Sequence, residues 1–139
     1  IRTSWLYSLF GKNFVKTIIE KSKSKDLLKI VGDQYGCPTN AYDLANAIMQ
    51  IIKSKDRFDK ESKIYNFSNL GYASWFEFAK FILKEINIKC HLEEIKTNEI
   101  SQLSKRPKFA ITNKTKIISA FNLKIPDWKE SLMKFLKNI

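Results

Sequence analysis

Residues 30–39 read Ile30-Val31-Gly32-Asp33-Gln34-Tyr35-Gly36-Cys37-Pro38-Thr39 and continue as Asn40-Ala41-Tyr42-Asp43-Leu44-Ala45. A β-rich run from Leu27 to Val31 meets two glycines and a proline, and an apolar helical pattern then begins. A strand, a rigid turn and a helix in succession hold a few polar side chains at the lip of a pocket. Gly36 and Gly32 release the backbone there and Pro38 fixes the exit. On its own this is a scaffold without a chemistry.

Working outward, Arg2 to Tyr7 reads as the end of a strand entering a loop, punctuated by Gly11. Asn13 precedes Phe14, Val15, Ile18 and Ile19, a helical stripe. The helix that follows Pro38 carries Leu44, Ala45, Ile48, Met49 and Ile52 on one side. Residues 53–63 are charged and read as a surface loop, and Ile64-Tyr65-Asn66-Phe67-Ser68 as a short strand. Ser74 and Glu77 form a capping box, after which Trp75, Phe78, Ala79, Ile82, Leu83 and Ile86 make one broad apolar face. His91 to Ile95 reads as a strand, 99–103 as a short helix leading to Arg106-Pro107, and Phe109 onward as extended chain. Asn113 caps a helix through Phe121, and the last helix opens at Asp127 with Trp128, Leu132, Phe135 and Leu136 inside. Helices alternating with short strands define an α/β fold.

Composition excludes several classes. The 139 residues suffice for one domain with a core, and no apolar run approaches the ~20 residues that cross a bilayer. The net charge of +11 comes almost wholly from scattered lysines, the arginines being Arg2, Arg57 and Arg106. That pattern is a solvated surface, and a nucleic-acid partner is not expected. Cys37 and Cys90 read as reduced thiols of a cytoplasmic protein. His91 is the one histidine, so neither a metal site nor a Ser-His-Asp arrangement can be completed. Gly11, Gly32, Gly36 and Gly71 do not make G-x-G-x-x-G or P-loop spacing, and none of the five tyrosines has a lysine four residues on. The opening Ile1-Arg2-Thr3-Ser4-Trp5 is neither a start codon's product nor an export signal, and reads as a chain cut from something longer.

Taken together, Arg2-Thr3-Ser4-Trp5, Asp33-Gln34-x-Gly36-x-Pro38-Thr39, Asp43-Leu44-Ala45, Ser74-Trp75-x-x-Phe78-Ala79 and Arg106-Pro107 resemble the C-terminal half of dTDP-4-dehydrorhamnose reductase, an extended short-chain dehydrogenase. The resemblance runs from Ile1 to Ile139, with Ala110, Thr112 and Ser8 departing mildly from the family pattern. It implies the last strands of a Rossmann domain (2–4 and 63–68) plus a small α/β substrate-binding subdomain. The cofactor-binding half, with its glycine-rich loop and Tyr-x-x-x-Lys pair, would lie upstream of Ile1. It further implies NADPH or NADH as cofactor, a dTDP-sugar as substrate, no membrane, and leaves a homodimer of the full-length parent open.

Residue by residue, the resemblance makes Trp5 a contact to the sugar nucleotide, against a half-buried core tryptophan. Ser4 falls beside the cofactor by position. Arg106 resembles a diphosphate-binding arginine, its guanidinium fork suiting two phosphate oxygens, against a surface arginine before a turn proline. Asn13 either faces phosphate at a helix N-terminus or caps that helix. Gln34 and Thr39 either line the pocket or fix the turn, and Asp43 reads as a helix cap. The parent would reduce the 4-keto group of dTDP-4-dehydro-L-rhamnose. Another nucleotide-sugar dehydrogenase or epimerase, or a non-catalytic regulatory homologue, is the alternative.

Overall fold

A computed structural model describes residues 1–54, 62–100 and 106–139. The chain runs β1 (Leu6–Tyr7), α1 (Phe14–Ser24), β2 (Leu27–Val31), β3 (Tyr35–Gly36), β4 (Thr39–Asn40) and α2 (Ala41–Lys53). It continues through β5 (Ala73–Ser74), α3 (Trp75–Glu85), β6 (His91–Ile95), a 3₁₀ turn (Thr97–Glu99), β7 (Phe109–Ala110), α4 (Thr115–Phe121) and α5 (Trp128–Leu136). The strands form three small patches: β1 beside β4, β2 beside β6, and β5-β3-β7. The β2–β6 ladder is parallel and pairs Leu27 with His91 through Val31 with Ile95.

Helix α3 is the hub, packing on α1, α5, β2, β5 and β6. Its start is set by the full capping box, with the Ser74 hydroxyl accepting from the Glu77 N–H and the Glu77 carboxylate accepting from the Ser74 N–H. Phe78, Ala79, Ile82 and Leu83 are buried against Tyr7, Val15, Ile18, Leu28, Leu132 and Phe135. The face drawn from 3.6-residue periodicity is therefore the face that packs. A second, smaller core joins Ala47, Ile51, Phe67, Ile117, Leu123 and Ile125.

Three expectations differ from what folds. The strand expected at 64–68, and its partner at 2–4, make an isolated parallel bridge between Arg2 and Asn66, because among the described residues each edge pairs only with the other. In α2 the side turned to the core is Leu44, Ala47 and Ile51, while Ala45, Ile48, Met49 and Ile52 face outward. Helix α2 is capped by Asn40, whose amide oxygen accepts from the Tyr42 N–H, and not by Asp43. The loop expected at 53–63 and the helix expected at 99–103 lie largely outside the described residues.

Asp43 instead receives hydrogen bonds from Asn69 Nδ2 (2.6 Å) and from the Ser131 hydroxyl. Asn69, fully buried, also accepts from the Asn40 N–H at 2.8 Å and donates to the Pro126 carbonyl. One carboxylate thus ties α2, the turn after residue 68 and α5 together. Tyr7, beside this network, is buried, and its hydroxyl has no hydrogen-bond partner among the described residues. Burial above all pushes its phenol far above the ordinary range, with the Asp43 charge adding and the nearby Ser131 hydroxyl offsetting part. Removing the acceptor with Asp43→Ala leaves two donors unmatched and is expected to cost about 2 kcal/mol. A urea titration would show the midpoint falling at unchanged slope.

Candidate functional site

Trp5 has φ +46°, a left-handed conformation that costs a bulky residue about 1–2 kcal/mol. Neighbours on three sides hold it there. Its carbonyl accepts from the Thr39 N–H at 3.1 Å, joining β1 to β4. Its indole lies flat on Trp75, with centroids 3.4 Å apart and planes 8° from parallel. Phe14 tilts against Trp75 at 4.5 Å, and Phe78 stacks on Trp5 at 6.4 Å. The other side is Gly36, where a Cβ would sit 2.3 Å from Trp5 Cε2. Gly36 is needed because it has no side chain, rather than for an unusual turn.

The polar residues of the opening motif hold that floor in place. The Asp33 carboxylate accepts from both the Thr97 N–H (2.9 Å) and the Thr97 hydroxyl (2.6 Å). Gln34, which is buried, donates from Nε2 to Thr97 Oγ1 at 3.1 Å. The Thr39 hydroxyl donates to the Cys37 carbonyl. Of the two readings of Gln34 and Thr39, the geometry is that of residues fixing the turn. The hydrogen bond from the Thr97 hydroxyl, then the Thr97 N–H and the Lys108 charge, hold the Asp33 carboxyl below the ordinary carboxylate range, with desolvation opposing.

Beyond Gly36, β3 pairs antiparallel with β5 and parallel with β7. Tyr35 stacks on Phe109 at 5.6 Å, with planes 11° apart, and meets Tyr72 edge-on at 6.5 Å. Phe109 is 70% exposed and Tyr72 59%, so this aromatic face is open to a ligand. Arg106 is exposed and stands three residues before Phe109, on the segment leading into β7. Tyr35 and Gly36 are consecutive in β3 and face opposite ways, so Trp5 packs on one face of this small sheet and the Tyr35–Phe109 pair lies on the other, with Arg106 on the segment leading into β7.

Asn13 and Ser4 are placed less freely than the resemblance implies. The Asn13 amide oxygen accepts from the Lys16 N–H and its Nδ2 donates to the Ser8 carbonyl at 2.7 Å, so both ends serve the start of α1. The Ser4 hydroxyl, half-buried, donates to the Cys37 carbonyl at 3.4 Å. Donating its proton to Cys37 leaves the Ser4 oxygen able to accept from a ligand. Among the described residues, no cluster of His, Cys, Asp and Glu could hold a metal, and Cys37 and Cys90 are free thiols. A cleft of about 820 Å³ lies elsewhere, between Leu9, Phe10, Tyr42 and Lys134, and includes neither Trp5 nor Arg106.

Sequence reading missed Trp75 as the mate of Trp5, and the Tyr35–Phe109 stack on the other face of β3. Trp75 fits the apolar face of α3 so well that nothing marks it as the mate of Trp5. An exposed stacked pair leaves no periodic signal.

The fold and the site define the substrate-binding, C-terminal part of an extended short-chain dehydrogenase. The chain belongs to the RmlD substrate binding domain family, whose model matches residues 1–139. It is 34% identical over 137 residues to the spore coat polysaccharide biosynthesis protein SpsK of Bacillus subtilis, covering 99% of this chain and 46% of that protein. It is 36% identical over 140 residues to dTDP-4-dehydrorhamnose reductase of Sinorhizobium fredii, covering 94% of this chain and 46% of the relative. The crystal structure of dTDP-4-dehydrorhamnose reductase from Bacillus anthracis, in complex with NADP, superposes with a TM-score of 0.87 at 36% identity. That match covers 99% of this chain and 46% of the other. The chain thus spans about half the length of the relatives it matches.

Two predictions follow from this geometry. Gly36→Ala drives a methyl into the Trp5 indole already backed by Trp75, displacing it, and is expected to destabilise by about 2 kcal/mol, with a red shift of tryptophan emission that a urea titration followed by fluorescence would record. The Asp33–Thr97 clamp depends on an ionised carboxylate whose folded pKa is depressed. Its stabilisation is present above the ordinary aspartate range and is lost as pH falls through the lower folded value. The Thr97 amide resonance should titrate below about pH 4 and stop doing so in Asp33→Asn.

Proposed function

We propose that residues 1–139 form the nucleotide-sugar-binding part of a dTDP-4-dehydrorhamnose reductase. Residues 2–4 and 63–68 would supply terminal strands of its Rossmann domain, and a cofactor-binding half outside these residues would complete the enzyme. The whole reaction reduces the 4-keto group of dTDP-4-dehydro-L-rhamnose to dTDP-L-rhamnose, a precursor of surface polysaccharide. NADPH or NADH, held by the other half, supplies the hydride, and a Tyr-x-x-x-Lys pair there handles the proton. Free Cys37 and Cys90 support placing the reductase in the cytoplasm. No helix among the described residues is long and apolar enough to cross a membrane.

The observation that carries this reading is Trp5, held left-handed between Trp75 and Gly36 on the sheet that also leads to Arg106. Strained aromatic backbone persists where the surroundings over-determine it, which marks a site rather than a linker. The indole edge offers an apolar surface and an N–H to a deoxysugar. Arg106 supplies the charge a diphosphate requires. Ser4 stands next to Trp5, where a nicotinamide would meet the sugar. Asn13 contributes by fixing the start of α1 beside Phe14.

Calorimetric titration with dTDP tests this. Arg106→Ala is expected to weaken binding about tenfold or more, as loss of a charge-assisted pair does, and Arg106→Lys to recover only part. Trp5→Phe should bind a dTDP-sugar less tightly while leaving dTDP itself little affected. Binding that ignores Arg106, or that takes UDP as readily as dTDP, would overturn the assignment.

A further inference from the structure

We infer that the outer edge of β6 is a docking site for an acidic, extended segment of a partner protein, taken up as a third strand beside β2 and β6. The site includes neither Trp5 nor Arg106, so it stands independently of the nucleotide-sugar reading. The ladder fixes which backbone groups are spare. His91 donates its N–H to the Asp26 carbonyl, and the Ile95 carbonyl accepts from the Gly32 N–H. In a parallel pair, alternate residues turn both their backbone groups to the same neighbour. His91, Glu93 and Ile95 therefore serve β2, while Leu92 and Glu94 point theirs outward. Among the described residues β6 pairs with β2 alone.

Open edges are commonly blunted by charged side chains, and β6 carries Glu93 and Glu94. Neither carboxylate guards the outer edge. Glu93 is paired with Lys29 of β2 at 3.1 Å. Glu94 folds back over β2, so closely that a Cβ on Gly32 would collide with its Oε1. Both negative charges of the strand are thus drawn to its inner side.

A groove of about 460 Å³ runs beside this edge. β6 contributes His91 and Leu92 to it and β2 contributes nothing, which places it on the outer side. Its other wall is α3, where Phe76, Lys80 and Lys84 recur every four residues and share one stripe. Both lysines are exposed, and among the described residues neither is in an ion pair. No carboxylate among the described residues lines the groove. An acidic strand supplies what the two walls lack, which is backbone partners for Leu92 and Glu94 and negative charge for Lys80 and Lys84. Its alternate side chains stand about 6.7 Å apart, close to the roughly 6 Å that separates residues one helical turn apart. A second copy of this chain does not fit. Its net charge is +11, and its one pair of adjacent carboxylates, Glu93-Glu94, is the pair already turned onto β2.

The test is fluorescence anisotropy with a labelled octapeptide alternating glutamate and valine, which favours a strand and puts every carboxylate on one face. Binding is expected, and it should weaken as salt is raised. The double variant Lys80→Glu with Lys84→Glu should weaken it about 100-fold, as like charges now meet. Glu94→Pro removes an outward N–H that β2 does not use, so it should lose the peptide and keep the circular dichroism of the parent. In hydrogen exchange, the peptide should protect the Leu92 and Glu94 amides. Those of His91 and Glu93, already bonded to β2, should exchange as before. The inference is overturned if the octapeptide does not bind, or if the double lysine variant binds it normally. It is equally overturned if an octapeptide alternating glutamate and proline, which cannot pair as a strand, binds as well. Lysine-dependent binding to phosphatidylglycerol vesicles, with the octapeptide ignored, would assign the face to a membrane surface and end the proposal.

Discussion

The contact on which the site depends is the flat stack of Trp5 on Trp75, closed from the other side by Gly36. Each of its parts constrains a different element. Trp5 needs the β1–β4 bond to hold its left-handed backbone, Trp75 needs the capping box to place the first turn of α3, and Gly36 needs β3 to lie between β5 and β7. The motif around residues 32–39 is thus best understood as a mounting. Its aspartate and glutamine grip Thr97, its glycine admits the indole, and its threonine fixes the return of the chain. None of these groups has to touch a ligand to be indispensable to binding one.

The same division separates what the sequence told from what it withheld. β2 and β6 were legible to the residue, and α1, α3 and α5 by the faces they bury, because periodicity reports local structure and one-sided burial directly. The α2 pattern was equally plain but misleading, since an apolar arc wide enough for two contacts does not say which is made. The strands at 2–4 and 64–68 shrank to a bridge because a strand is completed by its neighbours, not by its own propensity. At the site, the motif residues were found, and their two possible roles were left open by the sequence. Whether Gln34 points at a ligand or at Thr97 depends on a partner 63 residues away.

Asp43 shows the opposite case, a residue whose position beside a helix start invited a local explanation. Its carboxylate is a long-range tie instead, holding α5 against α2 through Ser131 and the turn at Asn69. Short polar side chains near helix starts serve either purpose, and only the tertiary fold decides between them.

The order in which this chain can be assembled follows from the β2–β6 ladder. Leu27 must meet His91, and closing a loop of about 60 residues costs on the order of 4 kcal/mol before any pairing repays it. During synthesis, β2 and the apolar face of α1 would emerge from the ribosome well before α3 and β6, the elements that cover them. They would spend that interval uncovered, so the nascent chain is at its most aggregation-prone in the middle of its own translation.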